Sequence, residues 1–241
     1  MKNIHKHLIA EHKLSPFASY LKEIIYGGND GIVTTFAVVS GFAGASQAGD
    51  TSLVLTAVLL FGFANLFADA TSMGLGNFLS ERSERDVYLA ERQKELHEIT
   101  HEATKEKLET IFILKEKGYS EEDAKKLTEL YAKNPAYWVE FMMRFELDMD
   151  RGSDHPALNA FATFIAFIVF GAIPLIPYVF LSQYTDHLFL LSCVSAGSAL
   201  LILGILRWLV TRISLVRSLA EAFLIGSLAS MVAYGVGMLF G

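Results

Sequence analysis

Six glutamates, Glu91, Glu95, Glu98, Glu102, Glu106 and Glu109, follow one another at spacings of 4, 3, 4, 4 and 3 residues. That rhythm lays them along one continuous face of a 3.6-residue helix. Like charges at i,i+4 cost roughly a few tenths of a kcal/mol per pair, so a stripe of carboxylates needs a reason. One reason is a solvated face, its repulsion diluted by Lys94, Lys105 and Lys107. The other is a cation site. The stretch "NPAYWVEFMMRFELDMD" adds Met142 and Met143, four and three residues ahead of Glu146. Thioether sulfur is soft and carboxylate oxygen hard, and a mixed set suits a transition metal better than Mg²⁺ or Ca²⁺. Trp138, Phe141 and Phe145 surround the methionines, so a plain packing role for them stays open.

A second group of carboxylates lies inside apolar runs. Asp30 opens "NDGIVTTFAVVSGFAGA", and Asp69 stands one turn before Met73. Charged groups in a bilayer are costly and usually face a cavity or a bundle interior. Asp30 therefore reads either as an interfacial turn residue or as part of an ion route. Asp69 and Met73 share a helix face and form a second hard-plus-soft pair, unless the aspartate is satisfied by Ser72 or a neighbouring helix. Glu221 has Arg217 at i−4 and is expected to pair with it.

The elements that must hold these residues follow from composition. Of 241 residues, 52% are hydrophobic, and the mean hydropathy is +0.37. That is too apolar for an ordinary soluble domain. A span needs about 20 apolar residues. Five segments qualify: 27–48, 53–79, 157–182, 187–210 and 217–240. Ser15–Pro16 reads as an N-cap and first helical residue for "PFASYLKEII", an amphipathic helix on the membrane surface. The expected fold is all-α: an integral membrane bundle of five transmembrane helices, a three-helix insert and an N-terminal amphipathic helix. The expected division is 1–26, 27–79, 80–155 and 156–241. Gly27 with Gly31 and Gly41 with Ala45 are small-xxx-small pairs that allow close helix approach, here expected around a dimer axis. Pro174 and Pro177 should bend the third span.

Charge sets the orientation. All 20 Lys and Arg fall in the N-terminal stretch, in the insert or at the ends of spans four and five. The links "QAGDTS" and "SQYTDH" have none. By the positive-inside rule, the N-terminus and the insert are cytoplasmic and the C-terminus is outside. The net charge of −6 argues against nucleic acid. Cys193 is alone, so no internal disulfide framework exists. The N-terminus lacks the apolar core and cleavage site of a secretory signal. "YGGNDG" lacks the Walker lysine, which disfavours a phosphate loop. "DMDRGSD" lacks the 12-residue pattern of a calcium loop and reads as a connector. An enzyme is set aside: no GxSxG elbow occurs, and the Glu-x-x-His spacing of di-iron bundles occurs once, at Glu98 and His101.

"NDGIVTTFAVVSGFAGA", "ADATSMGLGNFLSERSERDVY", "FGAIPLIPY" and "AEAFLIGSLASMVAYGVG" resemble the vacuolar iron transporter family from about residue 17 onward. The resemblance implies a proton-coupled exporter of Fe²⁺, and in some members Mn²⁺, from the cytosol. It implies a homodimer whose first spans line a pathway. The pathway aspartate and methionine of the family map onto Asp30 and Met73, with Asp69 as a helper suggested by its place. The family's cytoplasmic metal site maps onto Glu95, Glu98, Glu106, Glu109, Met142, Met143 and Glu146. Bound Fe²⁺, or Mn²⁺, Co²⁺ or Zn²⁺, is then substrate, and no prosthetic group is expected. The expected setting is a bacterial cell membrane, or the vacuolar membrane in a eukaryote. A membrane-anchored metal sensor or buffer is the alternative.

Overall fold

The computed structural model describes residues 19–45, 51–185, 187–211 and 214–240. Among them every regular element is helical: α1 Leu21–Ala45, α2 Thr51–His101, α3 Ala103–Glu116, α4 Glu121–Tyr131, α5 Pro135–Phe145, α6 Pro156–Ala172, α7 Ile176–Phe180, α8 Leu188–Thr211 and α9 Leu215–Phe240. They form two compact units, Met1–Phe78 with Ala157–Gly241, and Leu79–Pro156.

Four stretches are long and apolar enough to cross a bilayer: Leu53–His101, Pro156–Phe180, Leu188–Thr211 and Leu215–Phe240. Their outer faces are apolar. Leu224, Leu228, Met231 and Leu239 of α9 are all more than half exposed, an arrangement that suits hydrocarbon and not water. The chain is a multi-pass helical membrane protein. The expected first span is helical too, but α1 is not among those four. It also begins earlier than expected. "LKEII" is not a separate interfacial helix but the start of α1, which puts Asp30 well inside the helix. Ser15 and Pro16 lie outside the described residues, as does Arg212.

Glycine decides how α1 packs. A Cβ at Gly27 would sit 2.5 Å from the Thr163 carbonyl oxygen, and one at Gly31 2.5 Å from that of Phe167. Gly237 of α9 meets α1 in the same way, at Gly41 and Ala45. Both small-xxx-small pairs are thus used inside the protomer, against α6 and α9. Pro174 ends α6, and a 3-10 turn, Ile173–Leu175, leads into α7. The Ser192 hydroxyl donates to the Pro174 carbonyl at 2.7 Å, a bend made without stranding a polar group.

In the Leu79–Pro156 unit, α3, α4, α5 and the end of α2 enclose a core of Tyr88, Ile99, Leu114, Trp138, Phe141 and both methionines. The starts of α4 and α5 are written in the sequence. Ser120 accepts from the Asp123 amide at 3.1 Å and donates to its carboxylate, a side-chain cap on the start of α4. Asn134 caps α5 ahead of Pro135. The expected single glutamate helix is instead two, α2 and α3, broken at Glu102, so the unit has four helical segments where three were expected.

Candidate metal centre

The break at Glu102 builds the site. Glu95 and Glu106 are eleven residues apart, roughly 16 Å along an unbroken helix. With the helix interrupted, Glu95, Glu106 and Glu146 each offer an oxygen within 4.8 Å of the others. A linear stripe becomes a pincer, with Glu95 on α2, Glu106 on α3 and Glu146 closing it from the end of α5. Neither glycine nor proline causes the break. At the end of α2, Thr100 donates to the Leu96 carbonyl at 2.6 Å, and His101 Nδ1 lies 2.9 Å from that of His97.

Glu95 is 3% exposed and Glu106 1%, so these two do not form part of a solvated face. Glu95 Oε1 and both carboxylate oxygens of Glu106 have no hydrogen-bond partner. Nearby lysines serve other carboxylates: Lys94 pairs with Glu91 at 3.6 Å, Lys105 with Glu109 at 3.4 Å, and Lys107 with Glu129 at 2.9 Å. Burial first, then the charges of Glu146, Glu106 and Glu98, push the Glu95 carboxyl up to about 8. Burial and the charges of Glu109 and Glu146 push Glu106 up to about 7. Exposed Glu146 is raised as well, by partial desolvation and by Glu109 and Glu98. An unpaired buried carboxylate is expensive. A cation bridging the three groups removes that cost, and a proton is its direct competitor. Glu98 and Glu109, both half-buried, stand close enough to load the cluster electrostatically.

Met142 and Met143 are 0% and 1% exposed and belong to the core, so the packing role is filled. Met142 also has a polar contact. Thr110 Oγ1 lies 3.3 Å from its sulfur and 2.8 Å from the Glu106 carbonyl oxygen, and it receives the Trp138 indole N–H at 2.8 Å. Thr110 thereby joins the Glu106 turn to the Met142 side chain, one turn ahead of Glu146. Nothing in the spacing of the sequence marks Thr110.

In the other unit, Asp30 and Asp69 interact electrostatically. Asp30 also borders a cavity of about 680 Å³ whose wall includes Asn29, Arg207 and Glu221. Met73 lies with Phe164 against the Leu66–Phe167 cluster. Glu221 takes Arg217 at 2.9 Å, as expected, and Arg207 at 2.8 Å in addition. Glu23, 5% exposed on α1, has one carboxylate oxygen without a partner, a feature that spacing could not single out.

Residues 97–101, "HEITH", satisfy the HExxH spacing, a match that the motifs weighed above do not include. The two rings stack with centroids 4.0 Å apart. Among the described residues no third His, Cys, Asp or Glu joins them, as a zinc hydrolase would require.

A bundle of apolar helices joined to a unit that converges buried, unpaired carboxylates defines a membrane protein with a candidate cation centre. The chain belongs to the VIT family, whose model matches residues 21–238. It is similar to the vacuolar iron transporter of Toxoplasma gondii, with 34% identity over 98% of this chain and 80% of the relative. It is similar to vacuolar iron transporter 1 of Arabidopsis thaliana, with 36% identity over 89% and 83%. The vacuolar iron transporter of Centaurea cyanus is 34% identical over 96% and 93%.

Proposed function

We propose that this protein is a proton-coupled exporter of Fe²⁺, and of Mn²⁺, from the cytosol. The buried Glu95–Glu106 pair, left without partners and closed by Glu146, is the observation that carries the reading. It favours a divalent cation, and relatives named vacuolar iron transporter support iron as that cation. The Leu79–Pro156 unit is cytoplasmic and gathers metal, with Glu98, Glu109, Met142 and Met143 completing the set around the three carboxylates. The ion then passes Asp30, Asp69 and Met73, which replace part of its hydration shell and bind weakly enough to release it. Protons return on the same carboxylates, because protonation and metal binding exclude one another there. α1 is the fifth span, the N-terminus is cytoplasmic, and the C-terminus is outside. The membrane is that of a bacterial cell, or of the vacuole in a eukaryote.

The working form is a homodimer. Asn65, Ala68, Ser72 and Gly76 recur along α2 at spacings of 3, 4 and 4 residues, all exposed, with open space beside Gly76. A polar and small stripe is poorly matched to lipid and well matched to a second helix. Reconstitution in proteoliposomes tests the whole reading. Fe²⁺ flux should depend on a pH gradient and fall at least tenfold in Asp30→Ala. Flux indifferent to both would sink transport of this kind. Metal bound by the protein with no flux at all would favour the sensor or buffer.

A further inference from the structure

The stacked histidines at the end of α2 are not used by the carboxylate centre. His97 and His101 sit at i and i+4, both exposed, with near-parallel rings 4.0 Å apart at 20°. Two ring nitrogens bound to one tetrahedral ion at about 2.0–2.1 Å lie about 3.4 Å apart. The ion must also lie in the plane of both rings, so binding requires the side chains to rotate and splay out of the stack toward a common point. Position i,i+4 on one helix face is also what lets two imidazoles grip one ion without backbone movement.

The second observation concerns which nitrogen is free. His101 Nδ1 lies 2.9 Å from the His97 carbonyl oxygen, so that nitrogen carries the proton and donates. The lone pair is then on Nε2. A ligating histidine is ordinarily oriented in this way, its other N–H given to a carbonyl or carboxylate. The terminal carbonyls of α2 thus fix a metal-ready tautomer at the place where the helix ends. Glu98, between the two histidines in sequence, belongs by its charge to the neighbouring carboxylate cluster.

We propose that His97 and His101 form a second metal site, separate in chemistry from Glu95, Glu106 and Glu146. It takes a borderline divalent ion of the Zn²⁺, Co²⁺, Ni²⁺ or Cu²⁺ type through two Nε2 atoms, and water fills the remaining positions. Imidazole selects such ions over Mn²⁺, whereas the carboxylates accept both. The site is a chelate and not a hydrolase centre, because among the described residues no third protein ligand closes it. It stands whether or not the chain moves metal across a membrane.

Cu²⁺ added to the purified full-length protein in detergent gives a direct readout by electron paramagnetic resonance. The expected spectrum shows hyperfine coupling to two equatorial nitrogens. That coupling should vanish in His97→Gln and in His101→Gln, with at least a tenfold loss of Cu²⁺ affinity at this site, and persist in Glu106→Gln. Mn²⁺ affinity of the two histidine variants should stay at the wild-type level, which shows that the fold is intact. Two-nitrogen coupling that survives in either histidine variant would overturn the site, since the ligands are then other histidines. So would spectra without nitrogen coupling, or a parallel loss of Mn²⁺ binding. Loss of Mn²⁺ binding in Glu106→Gln bears on the carboxylate centre alone, so the two readings can fail separately.

Discussion

Glu221 on α9 is held between two guanidiniums, at 2.8 Å from Arg207 and 2.9 Å from Arg217. In the same unit, Ser218 donates to the Gly204 carbonyl, Ser192 to that of Pro174, and Ser40 meets Ser230 at 2.9 Å. In the Leu79–Pro156 unit the treatment reverses. Tyr88 and Arg92 both bind Glu140 at the periphery, while Glu95 Oε1 and both Glu106 oxygens at the centre receive no donor. On the reading proposed above, carboxylates with partners hold helices together, and those without are the ones that meet the ion. The membrane unit has its own exceptions, Glu23 and Thr35, and both lie on α1, the helix of Asp30.

If this contrast is right, the largest effect belongs to the centre. Glu106→Gln keeps the shape and removes one charged ligand. Metal affinity of the purified protein should fall by at least tenfold, and closer to a hundredfold when combined with Glu95→Gln, as read by isothermal titration with Mn²⁺. Unchanged affinity in the double variant would remove the distinction between the two kinds of carboxylate.

The next effect is on stability, and its sign is opposite to that of a salt-bridged carboxylate. The folded-state values of about 8 and 7 lie above the ordinary 4.5 of these groups. Below pH 4.5 both folded and unfolded chains hold the protons, and the pair costs nothing. Above pH 4.5 the unfolded chain ionises while the folded protein still holds its protons, so the metal-free form loses stability until the pH passes about 7 and 8, where the two buried groups ionise in the folded protein as well. Between about pH 5 and 8 the metal-free wild type should therefore lose at least about 2 °C in Tm relative to the Glu95→Gln/Glu106→Gln variant, the shift that about 1 kcal/mol produces in a chain of this size. Saturating metal should reverse the trend, because it binds the ionised form. A metal-free wild type that gains on the double variant as pH rises would mean the carboxylates have partners.

These residues differ in how far the sequence exposes them. The bundle was legible because a span is a long apolar run and needs only length to be seen. The proline bend, the Ser120 cap and the Glu221–Arg217 pair were legible because each is local, a matter of three to five residues. The pincer was not. The glutamate rhythm is perfect for one straight helix, and the interruption at Glu102 has no glycine or proline to announce it. Glycine was legible only in part, for a related reason. Gly27 and Gly31 announce a close approach, but the partner, α6, lies over a hundred residues away in the chain. "HEITH" lies in plain view but is overshadowed by the carboxylates around it, and Thr110 carries no pattern at all.

The smallest effect tests the partnered side of the contrast. Glu221 is 41% exposed and shares two arginines, so solvent screens much of the attraction. Glu221→Gln leaves hydrogen-bond capacity on α9 and two cations near the interface, where they can reach water. It should leave the thermal unfolding transition nearly unchanged and Fe²⁺ flux in proteoliposomes within about twofold of wild type. Glu221 lines the same cavity as Asp30, and this makes the result informative. A tenfold fall in flux with normal stability would mean that the arginine clamp is a moving part of the ion route and not a fixed tie between α8 and α9. The rule that partnered carboxylates are structural would then hold only in the Leu79–Pro156 unit.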